Sequence, residues 1–377
     1  MPYAAGISVN ASAGNSGPDA GTVDNVGPWV TTVGASTLDK TYTSTLTLTA
    51  ADGASYRKAG KTLTQGVEPS PVVLASAVSG YEGGAECTAP FAAGTLTGKV
   101  VACARDVNNR TDKSWNALQG GAAGMILYNS VASDTEADSH FVRAIHLDGP
   151  NDDLVSFLKA HPDATATWDA GKLLKATGDT MAGFSSRGPN GDFLKPDVTT
   201  PGVDILAGVP TSQGDPSSGP SGEQYAVWSG TSMSAPHATG VSVLVKAAHP
   251  SWTPGQIKSA LMTSSVQSVV NPDGSAAGVF QRGAGSIRAN RALSPTLTIS
   301  ETAAKFATGL TDRLSRINLN LPSVSVDPLP GAAVVKRTVM NVTSSWQSFS
   351  VTAKGQTASP SGCPRRGSRS PRERAAN

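Results

Sequence analysis

Apolar residues recur at helical spacing in one stretch of the second half of the chain. The members of this stripe are Ala238, Val241, Leu244, Val245 and Ala248. The pattern predicts a helix from about Ser232 to His249, ended by Pro250. Ser232 would then lie at the helix N-terminus, where unpaired backbone N–H groups and the positive end of the helix dipole gather. Such a position suits a nucleophile whose reaction passes through an oxyanion.

Strand patterns come before this helix. A buried strand is predicted from Gly6 to Ser12, almost at the first residue. A chain seldom begins inside a core strand, so we expect the natural start to lie upstream. The first residues have no basic segment followed by a long apolar one, and they are not a signal peptide. Within 46–70, threonine and leucine alternate ahead of a turn at Ala51-Asp52-Gly53, which predicts a hairpin.

Residues 71–170 have the pattern of a separate module. A turn and a buried strand are expected at Leu96–Cys103, and another buried strand at Ala123–Tyr128. Between them, Lys113–Gln119 reads as a short helix closed by Gly120-Gly121, since glycine is common just after a helix.

The remaining patterns predict a second helix and a β-rich end. Thr253, Pro254 and Gln256 form a capping box that starts a helix, and the apolar residues after it are expected to be core. Residues 294–357 are rich in Thr, Val and Leu with regular turns. Residues 358–377 are rich in Pro, Arg and Ser without periodicity, so we expect them to be disordered.

Composition limits the function classes. The 377 residues are enough for two or three domains, and 15% of them are charged. The net charge is +2, but residues 359–377 hold five arginines and one glutamate, so the rest of the chain is slightly acidic. No segment approaches the apolar length of a membrane span, and no aromatic interleaves the arginines as nucleic-acid binding would favour. No Cys/His cluster has zinc spacing, and neither a metal nor a cofactor is expected.

The octapeptide Gly230–His237, G-T-S-M-S-A-P-H, carries the strongest functional signal. An isolated Gly-Thr-Ser would more often be a helix N-cap, because Ser is common there. The whole octapeptide resembles the nucleophile motif of the subtilisin-like serine proteases, or subtilases. The resemblance implies a serine-type endopeptidase acting on protein or peptide substrates, with Ser232 as nucleophile and Gly230 and Thr231 close to the substrate.

Asn15 follows Ala13-Gly14 at the end of the first strand. Alone, Asn15-Ser16-Gly17-Pro18 would read as a turn. In subtilases, however, a strand ends in Ala-Gly-Asn, and the Asn side chain donates to the tetrahedral intermediate. An amide N–H can bond a developing oxyanion without acting as a competing acid. By this resemblance Asn15 is the oxyanion donor, and Ala13 and Gly14 line one wall of the pocket for the substrate side chain.

Other segments extend the resemblance and imply the architecture. L-T-G-K-V-V-A-C and G-G-A-A-G-M-I-L-Y-N resemble the protease-associated (PA) domain that several subtilases carry before the nucleophile. The last strands resemble a fibronectin-III-like sandwich, although about 60 residues is short for one. The expected fold is a partial α/β core with a mostly parallel sheet, an inserted β-rich PA domain and a partial C-terminal β-sandwich. The boundaries are 1–60 and 173–293 for the core, 61–172 for the PA domain, 294–357 for the sandwich and 358–377 for the tail.

The general base of the family has no match in the sequence. Subtilases use a His from His-Gly-Thr-His-Val and an Asp from Asp-Thr/Ser-Gly, both upstream of the oxyanion Asn. Only 14 residues precede Asn15, and none of the five histidines has that context. We therefore expect an N-terminally truncated protease, inactive as it stands. The alternative is a non-enzymatic pseudoprotease or PA-based binding module. The oligomeric state is left open.

The resemblance also implies secretion and a disulfide. Cys87 and Cys103 both fall in the PA-like module, and secreted proteins favour disulfides, so we expect them to be bonded and Cys363 to be free. His140 and His146 lie in the same module without a ligand partner at metal spacing. We interpret them as surface or loop histidines. Arg187 and Asp197 are expected to be structural.

Overall fold

The computed structural model describes residues 2–212, 214–308, 310, 312–329 and 331–352. Two units divide the chain, 1–342 and 343–377. In the second, the described residues 343–352 contain no helix or strand. The expected tail at 358–377, with Cys363, lies outside the described residues.

The first unit contains both strands and α-helices. Its strands are β1 (Asn10–Ser12), β2 (Thr31–Ser36), β3 (Lys40–Thr49), β4 (Ser55–Lys61), β5 (Val67–Leu74), β6 (Val100–Ala104), β7 (Gly124–Asn129), β8 (Ala144–Pro150), β9 (Thr165–Trp168), β10 (Lys172–Lys175), β11 (Val198–Pro201), β12 (Ile205–Gly208), β13 (Tyr225–Trp228), β14 (Leu297–Thr298) and β15 (Met340–Asn341). Its α-helices are α1 (Arg110–Gln119), α2 (Asp152–Ala160), α3 (Thr231–Ala248), α4 (Pro254–Thr263), α5 (Val279–Arg282), α6 (Ala289–Ala292), α7 (Ala303–Thr308) and α8 (Arg313–Ile317).

A three-stranded parallel sheet, in the order β1-β2-β11, is the part of the fold that carries the predicted site residues. Every residue of β2 is buried. Val33 and Val198 of this sheet pack with Ala238 and Val245 of α3, and α4 closes the same core. The apolar stripe of α3 thus fixes the helix against the sheet, and the Thr253 capping box forms as predicted.

The start of the chain differs from the prediction. The expected buried strand from Gly6 to Ser12 is only β1, which is half-buried, and a 3₁₀ turn at Pro2–Ala5 precedes it. Gly6 has φ +79°, in the left-handed region, so it breaks the extended backbone. Tyr3 instead anchors this segment, packing edge-on against Phe306 with ring centroids 5.1 Å apart.

A second, eight-stranded sheet has the order β10-β3-β4-β8-β7-β6-β5-β9. Its segment, residues 40–175, lies between the paired strands β2 and β11 in the sequence and is called the inserted module below. The hairpin expected within 46–70 is β3 and β4, and both strands belong to this sheet. β4 also pairs with β8, and β3 with β9 and β10, so both strands of the hairpin, which the predicted boundaries place almost wholly in the core segment 1–60, pair within the eight-stranded sheet. The strands and the helix expected at 96–128 are present, and Cys87 and Cys103 are bonded, with Cα atoms 5.7 Å apart.

The interpretation of His146 as a surface or loop residue is wrong, whereas His140 does lie outside the helices and strands. His146 lies within β8 and is 1% exposed, not on the surface. Its Nδ1 accepts the Glu136 N–H at 3.2 Å and its Nε2 donates to Asn129 Oδ1 at 3.0 Å, which satisfies a neutral imidazole inside the sheet. His140 is partly exposed as a residue, but both of its ring nitrogens are buried without a hydrogen bond.

A C-terminal β-sandwich is not formed by the described residues between 294 and 352. They contain the short helices α7 and α8 and one antiparallel pair, β14–β15, of two residues each. Val334 and Val339 belong to the stretch rich in Thr, Val and Leu, yet they are 81% and 53% exposed. No second sheet covers these side chains among the described residues of this segment.

Candidate active site

The first half of the site is a loop that continues β1. The Ala13 N–H donates to the Val33 carbonyl at 2.9 Å, which prolongs the strand pairing by one residue. Gly14 follows with φ +99°, and a Cβ there would lie 2.6 Å from an Asp24 carboxylate oxygen. Only glycine fits this turn, which brings Asn15 out at the carboxyl end of the strand.

The second half of the site is the start of α3. The Gly230 N–H donates to the Gly202 carbonyl at 2.7 Å, and the Gly202 N–H donates to Ser36 at the end of β2 at 2.9 Å. A Cβ on Gly202 would collide with Ser234 Oγ, so the chain ahead of the helix is seated directly on the sheet. Ser232, the second residue of α3, is exposed.

Asn15 and the start of α3 are joined by hydrogen bonds. The Thr231 N–H and hydroxyl donate to Asn15 Oδ1 at 2.9 and 2.8 Å. Both donors occupy the oxygen end of the amide, so the other end, the Nδ2 donor, is directed away from Thr231. Asn15, Gly230 and Ser232 all line one cleft of about 480 Å³. An amide donor and a helix N-terminus therefore meet beside the Ser232 hydroxyl, as an oxyanion-binding arrangement requires.

Of the predicted substrate-binding residues, Gly230 lines the cleft and Thr231 is buried beneath it. Ala13 is fully buried, and neither it nor Gly14 belongs to the cleft lining. No group of three or more His, Cys, Asp or Glu side chains is placed to hold a metal ion within the described residues.

None of the described residues lining the cleft is a histidine. His237 lies on α3, with Nδ1 donating to the Met233 carbonyl at 2.8 Å. His249 is stacked on Trp252 at the far end of the helix, with ring centroids 3.8 Å apart. His161 lies 3.5 Å from Asp52 at the edge of the inserted module.

Beneath the site, Asp197 joins two buried lysines. Its carboxylate lies 2.6 Å from Lys195 Nζ and 2.9 Å from Lys258 Nζ, and it accepts the Thr32 N–H at 2.8 Å. Burial alone would raise the pKa of Asp197, but the two ammonium groups outweigh it and hold the pKa below its usual range. The same ammonium groups also donate to the Val30 carbonyl at the entry of β2. This fits the structural role expected for Asp197.

The other wall of the cleft was missed by sequence reasoning. It comes from the inserted module, where residues 105–111 and Asp138 face Ser232. Arg110 is held by Asp138 at 2.5 and 2.9 Å. Burial opposes ionisation of Asp138, yet Arg110 overrides it and keeps the pKa of that carboxyl well below its usual range. No strand or helix pattern in the sequence predicts that this loop lies in the cleft, because its position depends on how the module packs against the core.

Comparison with known proteins agrees with this architecture. The model of the Subtilase family matches residues 1–292. This chain belongs to the subtilase family.

The curated relatives of this subtilase are subtilisin-like proteases of Arabidopsis thaliana. Subtilisin-like protease SBT5.4 is 34% identical over 382 residues, covering 89% of this chain and 49% of that protein. Subtilisin-like protease SBT1.4 is 38% identical over 311 residues, covering 78% and 40%. The chain thus spans about half the length of the curated relatives it matches.

Among solved structures, the psychrophilic subtilisin-like protease Apa1 from Pseudoalteromonas sp. AS-11 aligns with 77% of this subtilase and 64% of that chain, at 16% identity and a TM-score of 0.31. A likeness this small adds nothing to the family assignment. No helix among the described residues is long and apolar enough to cross a membrane.

Proposed function

We propose that residues 1–377 form the nucleophile-bearing part of a subtilisin-like serine endopeptidase that hydrolyses peptide bonds. Ser232 is the nucleophile, and Asn15 Nδ2 and the Ser232 N–H form the oxyanion hole. One observation carries the proposal: Thr231 occupies the oxygen of the Asn15 amide with two hydrogen bonds. The side chain is thereby oriented with its donor free for the substrate carbonyl oxygen.

In the proposed reaction, Ser232 Oγ attacks the carbonyl carbon of the scissile bond while a base takes the hydroxyl proton. The carbonyl electron pair moves to oxygen, which the two N–H donors stabilise. The intermediate collapses, the C–N bond breaks, and the amine leaves with the proton returned by the base. Water then hydrolyses the acyl-enzyme by the same steps.

The base must come from outside the residues that line this cleft. An unassisted serine hydroxyl is a poor nucleophile near neutral pH, and no described histidine lies in the cleft. We therefore propose that residues 1–377 alone do not cleave peptides at an appreciable rate. The family's His and Asp motifs would supply the proton acceptor and its orienting carboxylate.

The finer domain assignments are part of the same proposal. The inserted module is taken as a PA domain, with the two core segments on either side of it and a fibronectin-III-like segment after 294. Secretion is proposed because the chain is a subtilase with a disulfide in its inserted module. A pseudoprotease would keep the same fold without a base.

Labelling with a fluorophosphonate probe tests the catalytic part. Residues 1–377 should stay unlabelled, and a chain extended upstream to include the His and Asp motifs should label at Ser232, with Ser232→Ala as the blank. In that longer chain Asn15→Ala should lower kcat by roughly 10²–10³-fold, a size known from this family itself. An extended chain with both motifs that stays unlabelled would overturn the catalytic proposal in favour of the pseudoprotease.

A further inference from the structure

Residues 105–109, which connect β6 to α1, form a wall of the cleft opposite Ser232. At its tip Val107 is 83% exposed, among the most exposed large apolar side chains of the described chain. An exposed valine on its own needs no explanation. This one lies in the wall of the cleft that holds the nucleophile, so its exposure bears on what the cleft binds.

The backbone at this tip is in an unusual conformation. Asp106 and Val107 both have positive φ, +85° and +61°, and Val107 is β-branched. A β-branched residue seldom adopts the left-handed region, and such conformations persist where the surroundings impose them. The loop therefore presents Val107 in one orientation at a conformational cost.

Lys113 imposes that conformation. Its side chain is fully buried, and its ammonium donates to the Asp106 carbonyl at 2.9 Å, to Asn108 Oδ1 and to the Glu86 carbonyl. These acceptors flank Val107 on both sides and tie the loop to the segment beside the Cys87–Cys103 disulfide. Lys113 is thus a positioning residue for the tip.

The two arginines of this wall are already paired. Arg110 is bound by Asp138, and Arg105 Nη1 donates to Ser133 Oγ at 2.7 Å and to the Asp134 carbonyl. Neither guanidinium is left to bind an acidic side chain of a substrate. Within this largely polar lining, apolar contact surface comes from Val107, Trp228 and Met233.

We propose that Val107 is a specificity-determining residue, which contacts an apolar side chain of an extended peptide lying between the 105–109 loop and the start of α3. This inference rests on the proposed endopeptidase function. It adds a second contact surface, supplied by the inserted module and held in shape by Lys113.

Photo-crosslinking tests the contact without requiring catalysis. Residues 1–377 carrying p-benzoylphenylalanine at position 107 are irradiated with a fluorescein-labelled heptapeptide that has leucine at its centre, or with the same peptide carrying glutamate there. The control carries the photoreactive residue at Val131, which is 63% exposed in the same module and outside the cleft lining. Position 107 should capture the leucine peptide at least five-fold more than position 131 does, and more than it captures the glutamate peptide. Equal capture at the two positions, or no preference for leucine, would overturn the proposal.

A second arm tests the positioning role. Lys113→Met should reduce capture from position 107 at least three-fold, whereas Lys99→Met, at an exposed lysine, should leave it unchanged. Unchanged capture in a folded Lys113→Met protein would refute the role of Lys113, and a variant that fails to fold leaves the comparison of positions 107 and 131 to decide. The outcome is separable from the labelling test. Capture at 107 with an unlabelled extended chain would end the catalytic proposal alone, and labelling without capture would end this one.

Discussion

Replacing the buried Asp197 by asparagine should strongly destabilise this protein. Asp197 is 1% exposed and lies within 2.9 Å of two lysine ammonium groups that are themselves buried. The amide is nearly isosteric and can still accept the Thr32 N–H. It removes the negative charge, however, and leaves the buried Lys195 and Lys258 amino groups with only neutral acceptors such as the Val30 carbonyl.

The expected loss in the free energy of unfolding is about 3–5 kcal/mol, because removing one member of a buried ion pair leaves the other without its counter-ion and without water. Urea denaturation at pH 7, followed by tryptophan fluorescence, measures it. Adding Lys258→Met to Asp197→Asn removes one of the two cations, and part of the loss should be recovered. The m-value should stay the same in all three proteins, since the surface exposed on unfolding hardly changes.

Asp153→Asn is the matched control. Asp153 also pairs with a lysine, Lys58, at 3.2 Å, but its side chain is 54% exposed. Exposed pairs contribute about 0–1 kcal/mol, so this variant should lose less than 1 kcal/mol. The reasoning would be refuted if Asp197→Asn and Asp153→Asn destabilised the protein to the same extent.

Three further predictions follow from buried contacts. Burial lowers the pKa of His140 to about 4. Between pH 6.5 and 4.5 the unfolded chain therefore takes up a proton at His140 that the folded chain largely does not. Through this group, the free energy of unfolding should fall by about 2–3 kcal/mol over this range. His140→Leu should make the fall smaller by that amount in urea titrations at the two pH values, while the part due to His146, whose pKa burial also lowers, remains; an unchanged fall would contradict the prediction. Alkylation followed by intact mass should find no free thiol at Cys87 or Cys103 without reductant, and replacing both by serine should cost about 3 kcal/mol in the chain-entropy model; two freely alkylated thiols would contradict the bond. Gly202→Ala should lower the free energy of unfolding by about 1–3 kcal/mol in thermal unfolding, because its Cβ would collide with Ser234 and lie 2.8 Å from the Gly230 carbonyl. Gly240→Ala, with open space around it, should not destabilise the protein. Equal effects of the two substitutions would argue against close packing at Gly202.

The elements that could be predicted are those whose sequence signal is local. The stripe of α3 predicted a helix from Ser232 to His249, and the helix spans Thr231–Ala248. The capping box at Thr253 and the hairpin of β3 and β4 could also be predicted from the sequence, since each depends on residues close together in the chain. The meeting of Asn15 with the start of α3 had no such local signal and came from the family resemblance alone.

What could not be predicted depends on contacts between distant segments. His146 looked like a loop residue because nothing near it in sequence shows that Asn129 lies beside its ring. The Thr/Val/Leu-rich composition and regular turns after 294 predicted strands, but they cannot tell whether another sheet is there to cover the apolar side of those strands. The position of the loop at 105–109 could not be predicted for the same reason, since Val107 reaches the cleft only because the module packs against the core.

The pairing of β3 with β10 has a consequence for how the chain closes on itself. Asn15 and Thr231 are 216 residues apart in sequence, yet Lys40 and Lys175 face each other across the two strands where the chain enters and leaves the inserted module. Once β3 and β10 are paired, the loop that must close to bring Asn15 to Thr231 shortens from 216 residues to roughly 80. The entropic cost of closing that loop falls by only about 0.9 kcal/mol. A domain of this size can thus be inserted into a core with little added cost in loop-closure entropy, provided that the two ends of the domain lie close together.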